Sequence, residues 1–443
     1  MTHRNVDFQV SSLSRVEGEG ALHVTVTDGE ITDLRLRIYE PPRFFEGFLR
    51  GRSYREPVDI TARICGICPV AYQMSAANAL ERISDVVVDG QLRELRRLLY
   101  AGEWIESHVL HIGFLHAPDF LGASSGIELA GRDPERIEQV LQLKKVGNDI
   151  MQIVGGRPIH PVNVRLGGFY RAPERAELEP LADRLVWARA AAVDLVRWTA
   201  GFEFPEHRID HEFVSLRHPT EYAVLDGRIV SDRGLDLDAS EFDDEFVEHH
   251  VAHSTALHGR RRDGRAYLTG PLARWSNNHD RLPADVVALA EEVGVGAVER
   301  NPFRSIVVRA LEVLTQVIVA QDIVAAYRRP ATSALDVPPR AGIGWGVSEA
   351  PRGVLYHRYE TDANGTILDA RIVPPTAQNQ PVIEDDVRLV VEQHLGQQRS
   401  DDGDGDHALQ HRCEMAIRNH DPCISCATHF LQVAIDRRPG TDP

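Results

Sequence analysis

The sequence has little of what marks several large classes of protein. Only five of its 443 residues are cysteine, a small and odd number that argues against a disulfide framework and is typical of a reduced, cytoplasmic protein. The formal charge is −17 and there is no long basic run, which argues against nucleic acid as a partner. No charged-then-apolar leader opens the chain, so nothing in it predicts export.

Two further absences concern membranes and nucleotides. The most apolar helix candidate, residues 307–326, is interrupted by Arg309, Glu312, Gln316 and Asp322. This pattern predicts a buried helix and no direct membrane span. No G-x-G-x-x-G follows a predicted strand, so a nucleotide-binding fold on this chain is not expected.

Hydrophobic periodicity predicts an α-rich chain with two small β-hairpins. Alternating apolar residues flank an Asp28-Gly29 turn within 22–38 and an Asn364-Gly365 turn within 353–373. Helical spacing predicts helices at 69–83, 92–115, 136–153, 177–199, 303–327, 382–395 and 408–418. The helix at 303–327 is expected to be the longest. Residues 200–300 contain short strand-like pieces, 400–406 form a Gly/Asp loop, and 430–443 end in a polar tail. The expected fold class is α-rich α+β.

Four of the cysteines form two CxxC pairs, Cys65 with Cys68 and Cys423 with Cys426. Two residues between thiols allow both sulfurs to bind one metal, and four thiolates favour zinc, nickel or iron. From the pairs alone, a structural zinc site is as good an interpretation as a catalytic one. The fifth cysteine, Cys413, lies in a predicted helix and is expected to be a small buried hydrophobic residue.

The separation of the pairs favours a catalytic centre. Cys423 follows Cys65 by 358 positions, whereas zinc ribbons keep their pairs roughly 15–20 residues apart. Closing so long a loop costs roughly 5 kcal/mol, so a folded body must bring the pairs together before the metal enters.

Five ordered stretches resemble the large subunits of nickel–iron hydrogenases. They run from residue 15 to residue 429, so the resemblance covers nearly the whole chain. The stretches are Arg15-Val16-Glu17-Gly18, Arg63-Ile64-Cys65-Gly66-Ile67-Cys68-Pro69, Gly155-Gly156-Arg157 with His160-Pro161, Glu349-Ala350-Pro351-Arg352-Gly353, and the Asp-Pro-Cys-x-x-Cys-x-x-His run at 421–429.

The resemblance implies a nickel–iron centre on the four cysteines. All four thiolates would bind nickel, and Cys68 and Cys426 would bridge to an iron carrying carbon monoxide and two cyanides. Cys413 is not among the implied ligands. The implied fold is that of the hydrogenase large subunit, with residues 1–429 as one interwoven catalytic domain.

Three side chains match catalytic positions of that family. Glu17 matches its proton-transfer glutamate; the alternative is a charged residue before a strand, and the motif context favours the proton-transfer role. Arg352 matches the arginine that overhangs the two metals, whereas a salt bridge stabilising the hairpin is the alternative. Asp421 is expected to orient Arg352 or the cysteine loop. Two positions depart from the family, since Tyr72 and Glu19 stand where many members have histidine.

The resemblance also implies a second, magnesium-type site. Glu46 and His429 match its ligands, and the backbone carbonyl of Gln380 is a further candidate. Oxygen-rich ligation suits magnesium, which keeps several waters. The remaining prominent histidines are expected to be hydrogen-bonded groups, either in the core or supporting the ligands from behind, rather than ligands, namely His108, His111, His116 and His160.

The implied reaction is the reversible interconversion of H2 with two protons and two electrons. The chain has no cysteines left for iron–sulfur clusters, so an iron–sulfur small subunit must carry the electrons. Residues 69–73 resemble the cytosolic branch that couples hydrogen to NAD(P)+, which implies a diaphorase and further iron–sulfur subunits. The family implies nickel-insertion proteins and an endopeptidase that cleaves after His429, removing 430–443.

Two other classes of protein remain open at this point. A related structural subunit on the quinone side of a respiratory complex typically loses the cysteine pairs, and here all four are present. A zinc-stabilised scaffold without catalysis would retain them, and metal analysis would separate it from an enzyme.

Overall fold

The computed structural model describes residues 6–397 and 405–428. The helices in these ranges, numbered α1 to α15, are Phe45–Leu49, Pro57–Thr61, Pro69–Ile83, Gly90–Leu110, Ala117–Phe120, Gly126–Arg132, Pro134–Gly155, Arg175–Ala200, Phe242–Glu245, Pro271–Asn278, Ala284–Glu292, Ser305–Ala326, Pro375–Gln397, Gly405–Asn419 and Ile424–Ala427. The strands, β1 to β14, are Val6–Val10, Gly20–Thr27, Glu30–Ile38, Val164–Arg165, Gly168–Phe169, Glu212–Arg217, Arg228–Ser231, Asp236–Leu237, Phe246–His249, His258–Arg261, Tyr267–Leu268, Gly342–Ala350, Gly353–Thr361 and Ile367–Val373. A π-helix, His111–His116, continues α4 into α5.

Long helices form the body of the molecule. α4 packs against α7 and α12, and α12 packs in turn against α8. Most of α12 is buried, including the charged residues Arg309 and Glu312. The prediction of a buried helix at 307–326 is therefore confirmed. Within the described ranges, every helix is too short or too polar to cross a membrane.

The prediction that the helix at 303–327 is the longest is wrong. α8 has 26 residues, whereas α12 has 22. Phe303 lies in a 3-10 turn before α12, and Tyr327 leaves the helix in an extended conformation with ψ of 131°. α8 begins earlier than predicted because Glu174 and Glu177 form a capping box.

Both predicted hairpins are present, β2 with β3 and β13 with β14, and each gains a third strand. β1 pairs with β2, and β12 pairs with β13. The sequence does not predict β12 because Gly344 and Gly346 interrupt its apolar alternation. These glycines let the strand lie directly on α3, since a Cβ on Gly346 would come within 2.1 Å of the Ser75 carbonyl oxygen.

The last two long helices extend beyond their predicted bounds. α13 begins at Pro375 instead of residue 382, because Pro381 within it hides its first turns from the sequence pattern. α14 begins at Gly405, so residues 405 and 406, predicted as loop, are helical. The rest of the predicted loop before residue 405 lies outside the described ranges. The short strands expected between 200 and 300 are β6 to β11.

The hydrophobic core connects residues that are far apart in the chain. Its largest cluster contains Cys65 and Cys68 together with Cys423 and Cys426. A second cluster packs β1 to β3 against α13 and α14, and it contains Cys413, which is fully buried as predicted. Both cysteine pairs therefore lie in the interior, where the folded body brings them together.

Candidate metal centre

The first cysteine pair precedes α3. Cys68 is the N-cap of that helix and Pro69 its first residue, a position where proline needs no hydrogen-bond partner. The free backbone N–H groups of Val70 and Ala71 donate to the buried carboxylate of Glu103, at 2.5 and 3.1 Å. The start of α3 is thereby held firmly beside the sulfurs.

The second pair begins the short helix α15. Asp421, just before it, has φ of +51°, and Pro422 follows, so the chain turns sharply out of α14. The backbone N–H of Cys423 donates to Thr376 Oγ1 at 3.0 Å, and that of Ile424 donates to the carbonyl oxygen of Glu17 at 3.0 Å. These contacts join the last motif of the chain to the first.

The four sulfurs converge on one point. The Sγ atoms of Cys65 and Cys423 are 3.4 Å apart, those of Cys68 and Cys426 are 3.6 Å apart, and those of Cys423 and Cys426 are 2.7 Å apart. All four lie within 4.8 Å of one another, and each residue is at most 2% exposed. All five cysteines are free of disulfides. This is a preformed four-thiol metal site.

The protonation of the thiols also fits a cation site. Hydrogen bonding from the other three thiols lowers the pKa of Cys65 well below its ordinary value. Burial raises the pKa of Cys423 well above its ordinary value. Four buried thiolates cannot coexist without a compensating positive charge, and a bound metal supplies that charge.

Glu17 lies directly against a sulfur of the centre. Its Oε2 accepts hydrogen bonds from the Cys423 thiol at 3.1 Å and from the backbone N–H of Ser425 at 3.0 Å. The residue is only partly buried. Glu19, two residues later, is exposed.

Arg352 occupies the tight turn between β12 and β13 and reaches the cysteine loop. Its Nε donates to the carbonyl oxygen of Asp421 at 2.8 Å, and its Nη2 donates to the Asp421 carboxylate at 3.1 Å. Burial opposes its charge, but the charges of Asp421 and the nearby thiols outweigh burial and raise the pKa of Arg352. Its Nη1 is buried and has no hydrogen-bond partner in the described part of the chain.

Tyr72 is fully buried beside the centre. Its hydroxyl has no nitrogen or oxygen partner among the described residues. Burial and interaction with the Cys426 sulfur raise the pKa of Tyr72 well above its ordinary value, so the phenol stays protonated and able to donate to sulfur.

Two of the three candidate ligands for a second metal lie within the described residues. Glu46, in α1, accepts a hydrogen bond from the backbone N–H of Ile372 at 2.8 Å, and burial raises its pKa to about 8. Gln380, in α13, is fully buried, and both polar atoms of its side chain lack a partner within the described ranges. His429 lies outside the described residues.

The expectation of hydrogen-bonded histidines holds for two of the four. His111 Nε2 lies 2.9 Å from a carbonyl oxygen of α14, and His160 Nδ1 lies 2.7 Å from the carbonyl oxygen of Ala62. His108 Nε2 lies 3.0 Å from the Glu312 carboxylate, which is an ion-pair distance, but neither of its ring nitrogens makes a hydrogen bond among the described residues. The expectation is wrong for His116, whose buried ring nitrogens have no partner in the described part of the chain. The π-helix places that ring against His111 and Phe120 instead, and burial keeps it neutral by lowering its pKa.

Sequence reasoning missed two groups that position the site. Arg15 and Arg418 both donate to the buried carboxylate of Asp119, at 2.5 to 2.8 Å, which fixes the segment carrying Glu17. Arg15 belongs to a family-like stretch and could have been found by that signal. Asp119 and Arg418 are 299 positions apart, and no local pattern links them.

The second missed group supports the turn that carries Arg352. Arg274 donates to the carbonyl oxygen of Pro351 at 2.7 Å, and its guanidinium also binds the buried carboxylates of Glu312 and Glu349. Glu349 lies in a family-like stretch, but Arg274 has no motif around it.

Comparison with known proteins agrees with this geometry. The family described as nickel-dependent hydrogenase matches residues 43–142 and 296–429, more than half of the chain. Sulfhydrogenase 1 subunit alpha of Pyrococcus furiosus is 32% identical over 98% of this chain and 100% of its own length. NAD-reducing hydrogenase HoxS subunit beta of Cupriavidus necator is 27% identical over 95% of this chain and 94% of its own length.

Solved structures share the whole fold. A chain of an NAD+-reducing [NiFe]-hydrogenase in the H2-reduced state superposes with a TM-score of 0.84, at 26% identity, over 96% of this chain and 99% of that one. That superposition covers nearly the whole chain, and the family match includes both cysteine pairs. The chain therefore belongs to the nickel-dependent hydrogenase family and is a large, catalytic subunit of the [NiFe] type.

Proposed function

We propose that the four cysteines hold a nickel–iron centre with carbon monoxide and cyanide ligands, at which the chain interconverts H2 with protons and electrons. The observation that carries the proposal is the contact between Glu17 Oε2 and the sulfur of Cys423, at 3.1 Å. This sulfur is one of the four that converge on the candidate centre. Cys65, Cys68, Cys423 and Cys426 would be the ligands, with Cys68 and Cys426 bridging the two metals.

The surrounding polar groups fit such a centre. The buried Nη1 of Arg352 is a charged donor without a partner in the described residues, and a cyanide nitrogen would be a suitable acceptor. Asp421 holds that guanidinium through two contacts, which makes it a positioning residue. The protonated phenol of Tyr72 can donate to the Cys426 sulfur and so tune it.

The centre, when bound, supplies the site at which H2 is split heterolytically. The proton then needs a base close to a terminal sulfur and a path outward. Glu17 accepts directly from the Cys423 thiol, and its partial exposure provides the path. The backbone N–H of Ser425 holds the same carboxylate oxygen in place, so the group that takes the proton is preorganised.

Electrons must leave through another chain. The fifth cysteine, Cys413, is buried in a different cluster, so the described residues hold no further sulfur group for an iron–sulfur relay. An iron–sulfur small subunit is the required partner. The chain is similar to an NAD-reducing hydrogenase subunit of Cupriavidus necator and to a chain of a solved NAD+-reducing [NiFe]-hydrogenase. This similarity supports NAD(P)+ as the final electron acceptor, which the electrons would reach through a diaphorase and further iron–sulfur subunits.

A magnesium ion near the C-terminal cysteine loop completes the proposed site. Glu46, the backbone carbonyl of Gln380 and His429 would be its ligands. A cation there would compensate the Glu46 carboxylate, whose burial otherwise favours the protonated form.

Maturation is proposed to end with cleavage after His429. The family match ends at residue 429, and residues 430–443 lie beyond it. A removable tail would keep the cysteine loop accessible until nickel-insertion proteins have delivered the metals, after which an endopeptidase removes the tail. We place the enzyme in the cytoplasm, because its free, buried thiols suit a reducing compartment.

Infrared spectroscopy with metal analysis tests the proposal on the complex purified from its own host. Carbon monoxide and cyanide bands together with nickel and iron are expected, and all of them should disappear in Cys423→Ser. Zinc alone, without such bands, in protein already cut after His429 would refute the nickel–iron assignment and favour a zinc scaffold. Measuring the mass of the chain distinguishes cut from uncut protein.

A further inference from the structure

A second cluster of metal-ligating side chains lies outside the cysteine centre. It comprises His253 in the loop after β9, His258 in β10 and Glu384 in α13. Four of the 20 histidines of the chain fall within residues 249–258, so the segment is strongly enriched in imidazole. His249, at the end of β9, lies opposite His258 in the register of the two strands.

The three ligand atoms are spaced as they would be around one ion. His253 Nε2 is 2.9 Å from Glu384 Oε1, and His258 Nδ1 is 4.0 Å from Glu384 Oε2. Ligand atoms on a tetrahedral zinc ion are separated by about 3.3–3.6 Å, given metal–ligand distances of about 2.0–2.2 Å. The two observed distances lie on either side of this range, and all three atoms lie within 4.8 Å of one another.

The fold holds these side chains in place. The backbone N–H of Leu36 donates to Glu384 Oε1 at 3.0 Å. The loop bearing His253 is tied to the end of β3, since Thr255 donates to the carbonyl oxygen of Ile38 through its N–H, at 2.8 Å, and its hydroxyl, at 3.0 Å. Such preorganisation lowers the entropy lost when an ion binds.

β10 also lies unusually close to the helix that carries the carboxylate. A Cβ built on Gly259 would be 2.8 Å from the Cα of Gln378 in α13, so only glycine permits this approach. The neighbouring residue, His258, is thereby brought against α13, where its ring is almost fully buried.

A simple ion pair between His253 and Glu384 does not explain the cluster. It leaves His258 Nδ1 too far from the carboxylate for a hydrogen bond, while His258 Nε2 is buried without a partner among the described residues. No arginine or lysine in the described ranges pairs with Glu384. The other comparable cluster differs, because its carboxylates, Glu221 and Asp226, already bind Arg93.

We propose that His253, His258 and Glu384 bind a divalent transition-metal ion of the zinc class. Two imidazoles and a carboxylate suit such an ion, and three protein ligands leave a position for water or for His249. The ion would join the end of β3, the loop after β9 and α13, and so stabilise the helix that also carries Gln380. The proposal is independent of the reaction at the cysteine centre.

The test is zinc content and zinc coordination in the complex purified from its host. Wild type is expected to contain one zinc per chain that Glu384→Gln lacks, with nickel and iron unchanged between the two. Glu384→Gln keeps the size of the side chain but removes the anionic ligand, and zinc binding should weaken by more than about 100-fold, since even outer partners of a ligand contribute about 10–100-fold. X-ray absorption at the zinc edge should show only nitrogen and oxygen neighbours at about 2.0–2.2 Å, which excludes zinc on the cysteines.

Asp385→Asn is the matched control, because it makes the same change of charge at the exposed neighbouring carboxylate. It should retain the zinc, whereas His253→Gln should lose it. Equal zinc content in wild type and Glu384→Gln, with nickel showing that both are folded, overturns the proposal. Sulfur neighbours around the zinc overturn it as well.

Discussion

Replacing Glu17 by glutamine should block proton release while leaving the metal centre assembled. The glutamine amide has the size of the carboxylate and can still accept from the Ser425 N–H, 3.0 Å away in the wild type. It cannot take up the proton that the Cys423 thiol, at 3.1 Å, now donates to Oε2. Nickel and iron content and the infrared bands should therefore remain as in wild type.

The size of the effect follows from the role of a single acid–base group. Such a group contributes about 10²–10⁴-fold to the rate. H2 oxidation with an artificial electron acceptor should fall by that factor, equivalent to about 3–5 kcal/mol in activation free energy. Glu17→Asp shortens the side chain by one carbon–carbon bond, about 1.5 Å, which breaks the contact with sulfur but keeps a carboxylate. Its activity should lie between those of wild type and Glu17→Gln.

Glu19→Gln is the control for this series, since it makes the same change of charge at an exposed side chain two residues away. It should retain wild-type activity. The reasoning is refuted if Glu17→Gln, with its full content of nickel, oxidises H2 within about threefold of wild type, well below the range for a positioned acid–base group. Equal losses in the Glu17 and Glu19 variants would refute it too, because they would indicate a general effect of charge.

Three further predictions concern stability and metal binding. Asp119→Ala leaves the buried Arg418 and the half-buried Arg15 without their common partner and should cost about 3–5 kcal/mol, seen as a lower Tm, whereas Asp119→Glu should recover part of it. Cys413→Ala should keep nickel, whereas Cys423→Ala should lose it, and nickel loss in the former would mean that the fifth thiol contributes to the centre. Burial raises the pKa of Glu106 from 4.5 to about 7. Between about pH 4.5 and 7 the folded state therefore binds more protons than the unfolded state, and the free energy of unfolding falls as pH rises through that window. Glu106→Gln should remove this loss and gain up to about 3 kcal/mol relative to wild type at pH 8, and an unchanged pH profile of unfolding would contradict it.

The local elements could be predicted because their signals are local. The two hairpins show period-two alternation around turn dipeptides, and α3 begins with proline, so short windows of sequence are sufficient. β12 could not be predicted, because Gly344 and Gly346 replace the side chains that would have shown the alternation. The close packing that requires these glycines exists only once α3 lies across the strand.

In the candidate centre, too, some features could be predicted from the sequence and others could not. The paired thiols and their family-like surroundings identify the four cysteines and the family, and comparison with known proteins confirms that family. The roles of Glu17, Arg352 and Asp421 remain predictions; the structure shows that Glu17 contacts the Cys423 sulfur and that Arg352 contacts Asp421. The arginine pair on Asp119 and the support of the Arg352 turn by Arg274 could not be predicted, because each contact joins distant segments.

The sequence by itself determined the residue chemistry of the protein: two thiol pairs too far apart for a zinc ribbon, a glutamate in a motif at the start, and long apolar helices without a membrane span. The tertiary structure decided which of these groups meet. Only the folded core brings Cys65 within 3.4 Å of Cys423, sets Glu17 against that sulfur, and collects His253, His258 and Glu384 from a loop, a strand and a helix. The physical reason is that periodicity records which face of an element is buried, whereas the partner buried against it depends on the packing of the whole chain.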